Sequence, residues 1–231
     1  MSKKKIELLK VLNSPKEFYR LLFDIRNETE LVDLCTEVKN EIEIDYFEIA
    51  ISAINDGQNI FLLTHALEKV AHLSILNKSN ILSFYEILYN QMQGDLAGGS
   101  QYNITKIICD NNKDFARDFL DTLYLINREY VTFHISTTIV SLHNIHNINQ
   151  YAHIKSFLAN TENIIRTKSA INVIDKLNIN EQESEEMYLL FENIIKKENL
   201  EFNYLIIYTS NYLKDTYPAF KNILVKSSQF E

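Results

Sequence analysis

The chain has 231 residues, 46% hydrophobic and 23% charged, with a net charge of −8 and only 4 glycines and 2 prolines. Average usage would give roughly 28 Gly plus Pro at this length, and that deficit excludes sandwiches, barrels and propellers, which turn about every 8–12 residues, and βαβ folds, which spend glycine at helix caps and phosphate loops. A composition this apolar is that of a globular chain rather than a disordered one, and few turns mean long helices, so the expected fold class is all-α.

Asparagine takes over the punctuation, because its side chain caps helix N-termini and tolerates the left-handed conformation at C-termini. Breaks are expected at Asn13-Ser14-Pro15, Asn27, Asn40, Asn55-Asp56-Gly57, 77–80, 94–103, Asn111-Asn112, Asn127, 144–149, Asn160-Thr161, 178–180, Asn199 and 215–218. Segments mostly of about 10–19 residues lie between them, with apolar positions at i, i+3, i+4 and i+7, which predicts about a dozen helices.

The opening Met1-Ser2-Lys3-Lys4-Lys5 resembles the basic start of a signal peptide, yet Glu7 and Lys10 interrupt the stretch from Ile6 to Leu12, so no uncharged apolar segment is expected. Apolar runs such as 60–63 fall far short of the roughly 20 residues of a spanning helix. A cytoplasmic protein without membrane association is expected. Cys35 and Cys109 lie on apolar faces and are expected to be buried free thiols.

Residues 28–56 hold nine acids against the single base Lys39, a local charge equal to that of the whole chain. Leu31, Leu34, Cys35, Val38 and Ile42 share one helical face, whereas Tyr46, Phe47, Ala50, Ile51 and Ile54 centre roughly 140° away. One straight helix cannot bury both, which predicts a turn near 40–43. Glu30, Asp33, Glu37 and Glu41 then form a carboxylate row opposite the first apolar face, with Asp45 and Glu48 a shorter one on the next helix. These six residues are the expected docking face for a basic protein partner; the competing reading is a solvated face that maintains solubility.

His65, Glu68 and His72 fall on one polar helical sector with Lys69. A metal there would need further ligands from elsewhere, and no histidine has a Glu three residues before it, as dinuclear carboxylate bundles require, so no metal is expected. Gly94, Asp95, Gly98 and Gly99 lie in a glycine-rich stretch that matches neither a Walker loop nor a nucleophile elbow, and are expected to form a mobile loop between helices. Phe115, Phe119 and Leu123 repeat at helical spacing as core.

Tyr130, His134, Thr137 and Ser141 occupy i, i+4, i+7 and i+11 on an otherwise apolar helix. Such a stripe lines either a polar core seam or a binding groove, and these four are the candidate groove residues. His143 and His146, with His134 and His153 nearby, flank a predicted loop and are expected to satisfy local hydrogen bonds. Tyr204, Tyr208 and Tyr212 repeat every four residues, either as an exposed ladder or packed on the preceding helix.

Alternate breaks near 40, 78, 111, 145, 179 and 216 are separated by 33–38 residues, the length of a helix-pair repeat. The pattern resembles a degenerate α-solenoid of the HEAT or armadillo kind, although no tetratricopeptide Trp, Gly or Pro positions are present; an irregular helical bundle is the alternative. The resemblance implies one domain, 1–231, with a helical cap over 1–40, antiparallel helix pairs over 41–216 and a tail over 217–231. In size and charge the chain is similar to acidic, single-domain cytoplasmic immunity proteins of bacterial toxin systems, which implies a non-catalytic inhibitor that occludes a basic partner. No cofactor is expected, and with no basic stripe interleaved with aromatics, no direct nucleic-acid binding. The alternatives are a small-ligand binder or enzyme using the Tyr130/His134 stripe, and a structural scaffold.

Overall fold

The computed structural model describes residues 28–91, 95–196 and 200–227, with isolated positions between 7 and 21. Twelve α-helices and no strand occur among the described residues. The all-α expectation therefore holds. Contacts gather the chain into two compact units, Met1–Phe115 and Ala116–Glu231, where the sequence reading expects one domain.

In the first unit α1 is Glu28–Lys39, α2 Tyr46–Asn55, α3 Ile60–Val70, α4 Lys78–Gln91 and α5 Asp95–Asn111, with a 3-10 turn at Ala71–Leu73 after α3. The predicted break within 28–56 is present: α1 stops at Lys39 and α2 starts at Tyr46. Leu31, Leu34, Cys35 and Val38 are buried, whereas Ile42, in the connecting segment, is 39% exposed. Asn59 caps α3 by accepting from the N–H groups of Phe61 and Leu62, and Asn77 does the same for Ser79 and Asn80 at the start of α4. Gly57 has φ +82, the left-handed geometry that closes the turn after α2.

Each helix of this unit packs on the second one along: α1 on α3, α2 on α4, α3 on α5. Their shared core includes Phe47 and Phe84, edge to face at 5.7 Å, and Tyr85, whose buried hydroxyl lies 2.7 Å from Thr105 Oγ1. A buried serine knits two loops together. Tyr46 N–H donates to Ser74 Oγ at 2.9 Å, and Ile75 N–H donates to Ile44 O at 2.8 Å.

The expected loop at 94–99 is corrected. Asp95, Gly98 and Gly99 belong to α5, and Gly94 lies outside the described residues. Glycine costs a helix only about 1 kcal/mol relative to alanine, and α5 is anchored further along, where Ile104, Thr105, Ile108 and Cys109 are all at most 1% exposed. Burial of that face outweighs the local preference of the glycines.

The second unit contains α7 Val131–Val140, α8 Tyr151–Ala159, α9 Ile164–Ile171, α10 Glu181–Ile195, α11 Leu200–Leu213 and α12 Lys221–Ser227. The unit boundary falls inside α6, Lys113–Tyr124. Again α7 packs on α9, α8 on α10 and α9 on α11. Asn180 and Glu183 form a reciprocal capping box at the start of α10, and Asn163 caps α9. After α7 the chain passes through a π turn at Ser141–Ile145 and reverses at Asn147, φ 54, where asparagine supplies the left-handed residue.

Of the expected tail at 217–231, residues 218–227 are helical and 228–231 lie outside the described residues. Pro218–Phe220 is a 3-10 turn leading into α12, and Phe220 is fully buried against Tyr188 and Phe191, with ring centroids 6.2 and 5.8 Å away. One aromatic anchor and the fully covered Ile223, 1% exposed, suffice to dock this segment on α10 and α11. No helix among the described residues is long and apolar enough to cross a membrane.

Candidate functional site

In the first unit the buried side of α1 directs its acids outward. Glu30, Asp33 and Glu37 are exposed on the helix, Glu41 is exposed in the turn after it, and Glu48 is exposed in the first turn of α2. Asp45 is different. Its Oδ1 accepts from Phe47 and Glu48 N–H at 3.0 and 3.1 Å, and its Oδ2 accepts from Asn80 Nδ2 at 2.9 Å. It is the N-cap of α2 and a tie to α4, a structural role in addition to its place in the expected docking face. Glu48 complements the positive end of the α2 dipole.

Beside the carboxylate row lies an open groove of about 710 Å³, bounded by α1, α3 with its 3-10 extension, and α5. Asp33 lines it from α1, His65, Glu68 and His72 from the second wall, and Lys106 and Asn111 from the third. The polar sector of His65, Glu68 and His72 is thus brought together as its spacing predicts. His65 Nδ1 lies 3.7 Å from Glu68 Oε2, and Lys106 is ion-paired with Asp110. Burial, reinforced by Lys39, holds the His72 imidazole below its usual pKa. The sequence reading does not assign the α5 wall, although Asn103, Lys106, Ile107 and Asn111 carry the helical spacing. No group of three His, Cys, Asp or Glu among the described residues is arranged to hold a metal. What the groove offers is hydrogen bonding and charge of both signs, suited to a polar side chain or small polar molecule.

Cys35 and Cys109 are buried free thiols, and burial pushes the Cys35 thiol up to about 11, away from reactive thiolate character.

The candidate groove of the second unit is closed. Tyr130, His134, Thr137 and Ser141 are 6%, 0%, 2% and 1% exposed. Of the two outcomes open to such a stripe, the structure takes the core seam, and the groove assignment is corrected. The cause is the approach of α9: Ser169 Oγ lies 3.2 Å from Thr132 O, and Ser136 Oγ lies 3.2 Å from Ser169 O. Small hydroxyl residues facing one another let the two helices come close and satisfy their hydroxyls on backbone carbonyls, which shuts solvent out. Thr137 Oγ1 likewise donates back to Phe133 O at 2.8 Å. With no solvent near it, the His134 imidazole is pushed down to about 3 by burial and packs edge-on to Tyr130 at 6.4 Å. His143 and His153 make local bonds through Gln150: Gln150 N–H donates to His143 Nδ1 at 3.3 Å, and His153 Nδ1 lies 3.2 Å from Gln150 Oε1.

On α11 the tyrosine repeat is an exposed ladder. Tyr204, Tyr208 and Tyr212 are 71%, 54% and 57% exposed, and the hydroxyls of the last two lie 2.9 Å apart.

Compared with protein-family models, curated proteins and solved structures, the chain matches none.

Proposed function

We propose that the protein is a non-catalytic helical protein-binding module of the cytoplasm, whose first unit docks a basic partner along the α1 carboxylate row, in the manner of an immunity protein that occludes a toxin. The observation that carries this reading is the position of Asp33, which belongs both to the exposed row and to the lining of the groove. A partner surface guided in by Glu30, Asp33, Glu37 and Glu41 meets a recess at that point, so the same face supplies electrostatic steering and a place for an inserted side chain. The packing of each helix on the second one along within each unit supports the degenerate helix-pair repeat behind this reading.

The test is affinity capture with the native protein and with the Glu30→Lys, Asp33→Lys, Glu37→Lys, Glu41→Lys variant, at low and high salt, with circular dichroism verifying the variant's fold. The expected result is a basic protein retained by the native chain, released by salt and lost by the variant. Equal retention by both chains refutes the proposal. The groove's volume of about 710 Å³ favours a second reading, a small polar ligand held by His65, Glu68 and His72; saturable binding of a small molecule lost in His72→Ala, yet kept after reversal of Glu30, Glu37 and Glu41, which do not line the groove, would select it.

A further inference from the structure

The α11 ladder does not end at Tyr212. Tyr204, Tyr208 and Tyr212 cover about 12 Å of helix surface, a span that about four residues of extended chain match. Tyr212 then forms a wall of a cavity of about 460 Å³, together with Asp175, Asn178, Asn180 and Tyr217. Thr216 and Tyr217 also line another cavity of about 510 Å³, together with Glu181, Ser184 and Glu185. The Tyr217 hydroxyl donates to Ile179 O at 2.6 Å, which fixes the ring as the shared wall. Ladder and cavities therefore adjoin within one stretch of the second unit, residues 175–219.

Every charged residue lining the two cavities is an acid: Asp175, Glu181 and Glu185. Neighbouring acids of α10 are engaged, Glu183 in the capping box and Glu186 with Lys155 and the Tyr151 hydroxyl. Glu181 and Glu185 have no ion pair among the described residues. They stand at i and i+4, where like charges repel, and only Glu181, in the first turn, gains from the helix dipole. Lys176 approaches Asp175 no closer than 3.9 Å and donates to Asn172 O at 2.7 Å instead. Burial accordingly holds the Asp175 carboxyl above the usual range. Asp175 also acts on the ladder: after the Tyr212 contact and desolvation, its charge is a smaller cause that raises the Tyr208 hydroxyl.

We propose that the tyrosine ladder and the two acidic cavities form a docking track for an extended, arginine-bearing segment of a partner protein. Arginine answers all parts of this surface at once. Its guanidinium plane stacks on tyrosine faces, and its fork of donors pairs with a carboxylate in a recess. An elongated occupant fits because the row adjoins one cavity through Tyr212, and that cavity adjoins the other through Thr216 and Tyr217. The track is separate from the α1 row and does not depend on it.

The experiment measures fluorescence anisotropy of labelled nine-residue peptides, Gly/Ser-spaced with three arginines, three lysines or three glutamines, against the full chain. The arginine peptide is expected to bind at least fivefold more tightly than the glutamine peptide. Tyr208→Ala and Tyr212→Ala are each expected to weaken it about fivefold, as is the Glu181→Gln, Glu185→Gln pair, with melting temperatures verifying the folds. The chain with α1 reversed to lysine is expected to bind as the native one does, so this track and the α1 reading fail separately. Equal binding of arginine and glutamine peptides, no binding at 1 mM, or unchanged affinity in the tyrosine and glutamate variants would overturn the proposal.

Discussion

His134 makes the stability of the second unit depend on pH in a way that can be calculated. Its ring is fully buried, and burial pushes it down to about 3 from the ordinary 6.5. Below 6.5 the unfolded chain takes up a proton that the folded chain refuses, so the associated stability is present in full above 6.5 and drains away as the pH falls toward 3. The slope in that window is about 1.4 kcal/mol per pH unit. From pH 7.5 to pH 5 the loss is therefore about 2 kcal/mol, and any folded value below about 4 leads to the same figure, because the unfolded imidazole sets the onset. Against a total of about 5–15 kcal/mol this is a large fraction. The assay is urea unfolding of the native chain and His134→Gln at pH 7.5 and 5. The depressed His72 and the carboxylates contribute to both proteins and cancel in the comparison. The native chain should lose about 2 kcal/mol more than the variant on acidification, and its His134 ring resonances should not titrate above pH 4. Parallel losses in the two proteins would refute the reasoning.

Removing the α2 cap by Asp45→Ala should cost about 2 kcal/mol, since two backbone donors and Asn80 lose a charged acceptor together, whereas Asp45→Asn should retain about half; thermal melts read both. Gly57 has open space where a Cβ would stand, yet its φ of +82 penalises any L side chain. Gly57→Ala should therefore lose about 1 kcal/mol in urea unfolding and Gly57→Asn clearly less, because asparagine tolerates the left-handed region.

The acidic face and the closed stripe differ in how far sequence reaches. On α1, Leu31, Leu34, Cys35 and Val38 identify the inner face, and the acids between them must point away; a single helix against a single core leaves no other choice. Asp45 escaped that logic because a carboxylate one residue before a helix serves equally well as a charge and as a cap. On α7 the side holding Tyr130, His134, Thr137 and Ser141 is polar enough for a groove and small enough for a seam. The choice between them belongs to Ser169 and its helix, more than thirty residues away in the chain.

Sequence alone determined the helical class, the turn between the two apolar faces of 28–56, and most of the asparagine breaks, because capping, turn chemistry and helical periodicity are local and act within about four residues. Tertiary structure decided the rest. The glycines at 95–99 are helical because Ile104, Ile108 and Cys109 further along α5 are buried, and the terminal segment is docked because Phe220 finds an aromatic recess. The wall that α5 gives the groove and the exposure of the α11 tyrosines are of the same kind. Periodicity states which residues share a face, whereas only the packing of distant helices settles which faces are covered and which are left open to a partner.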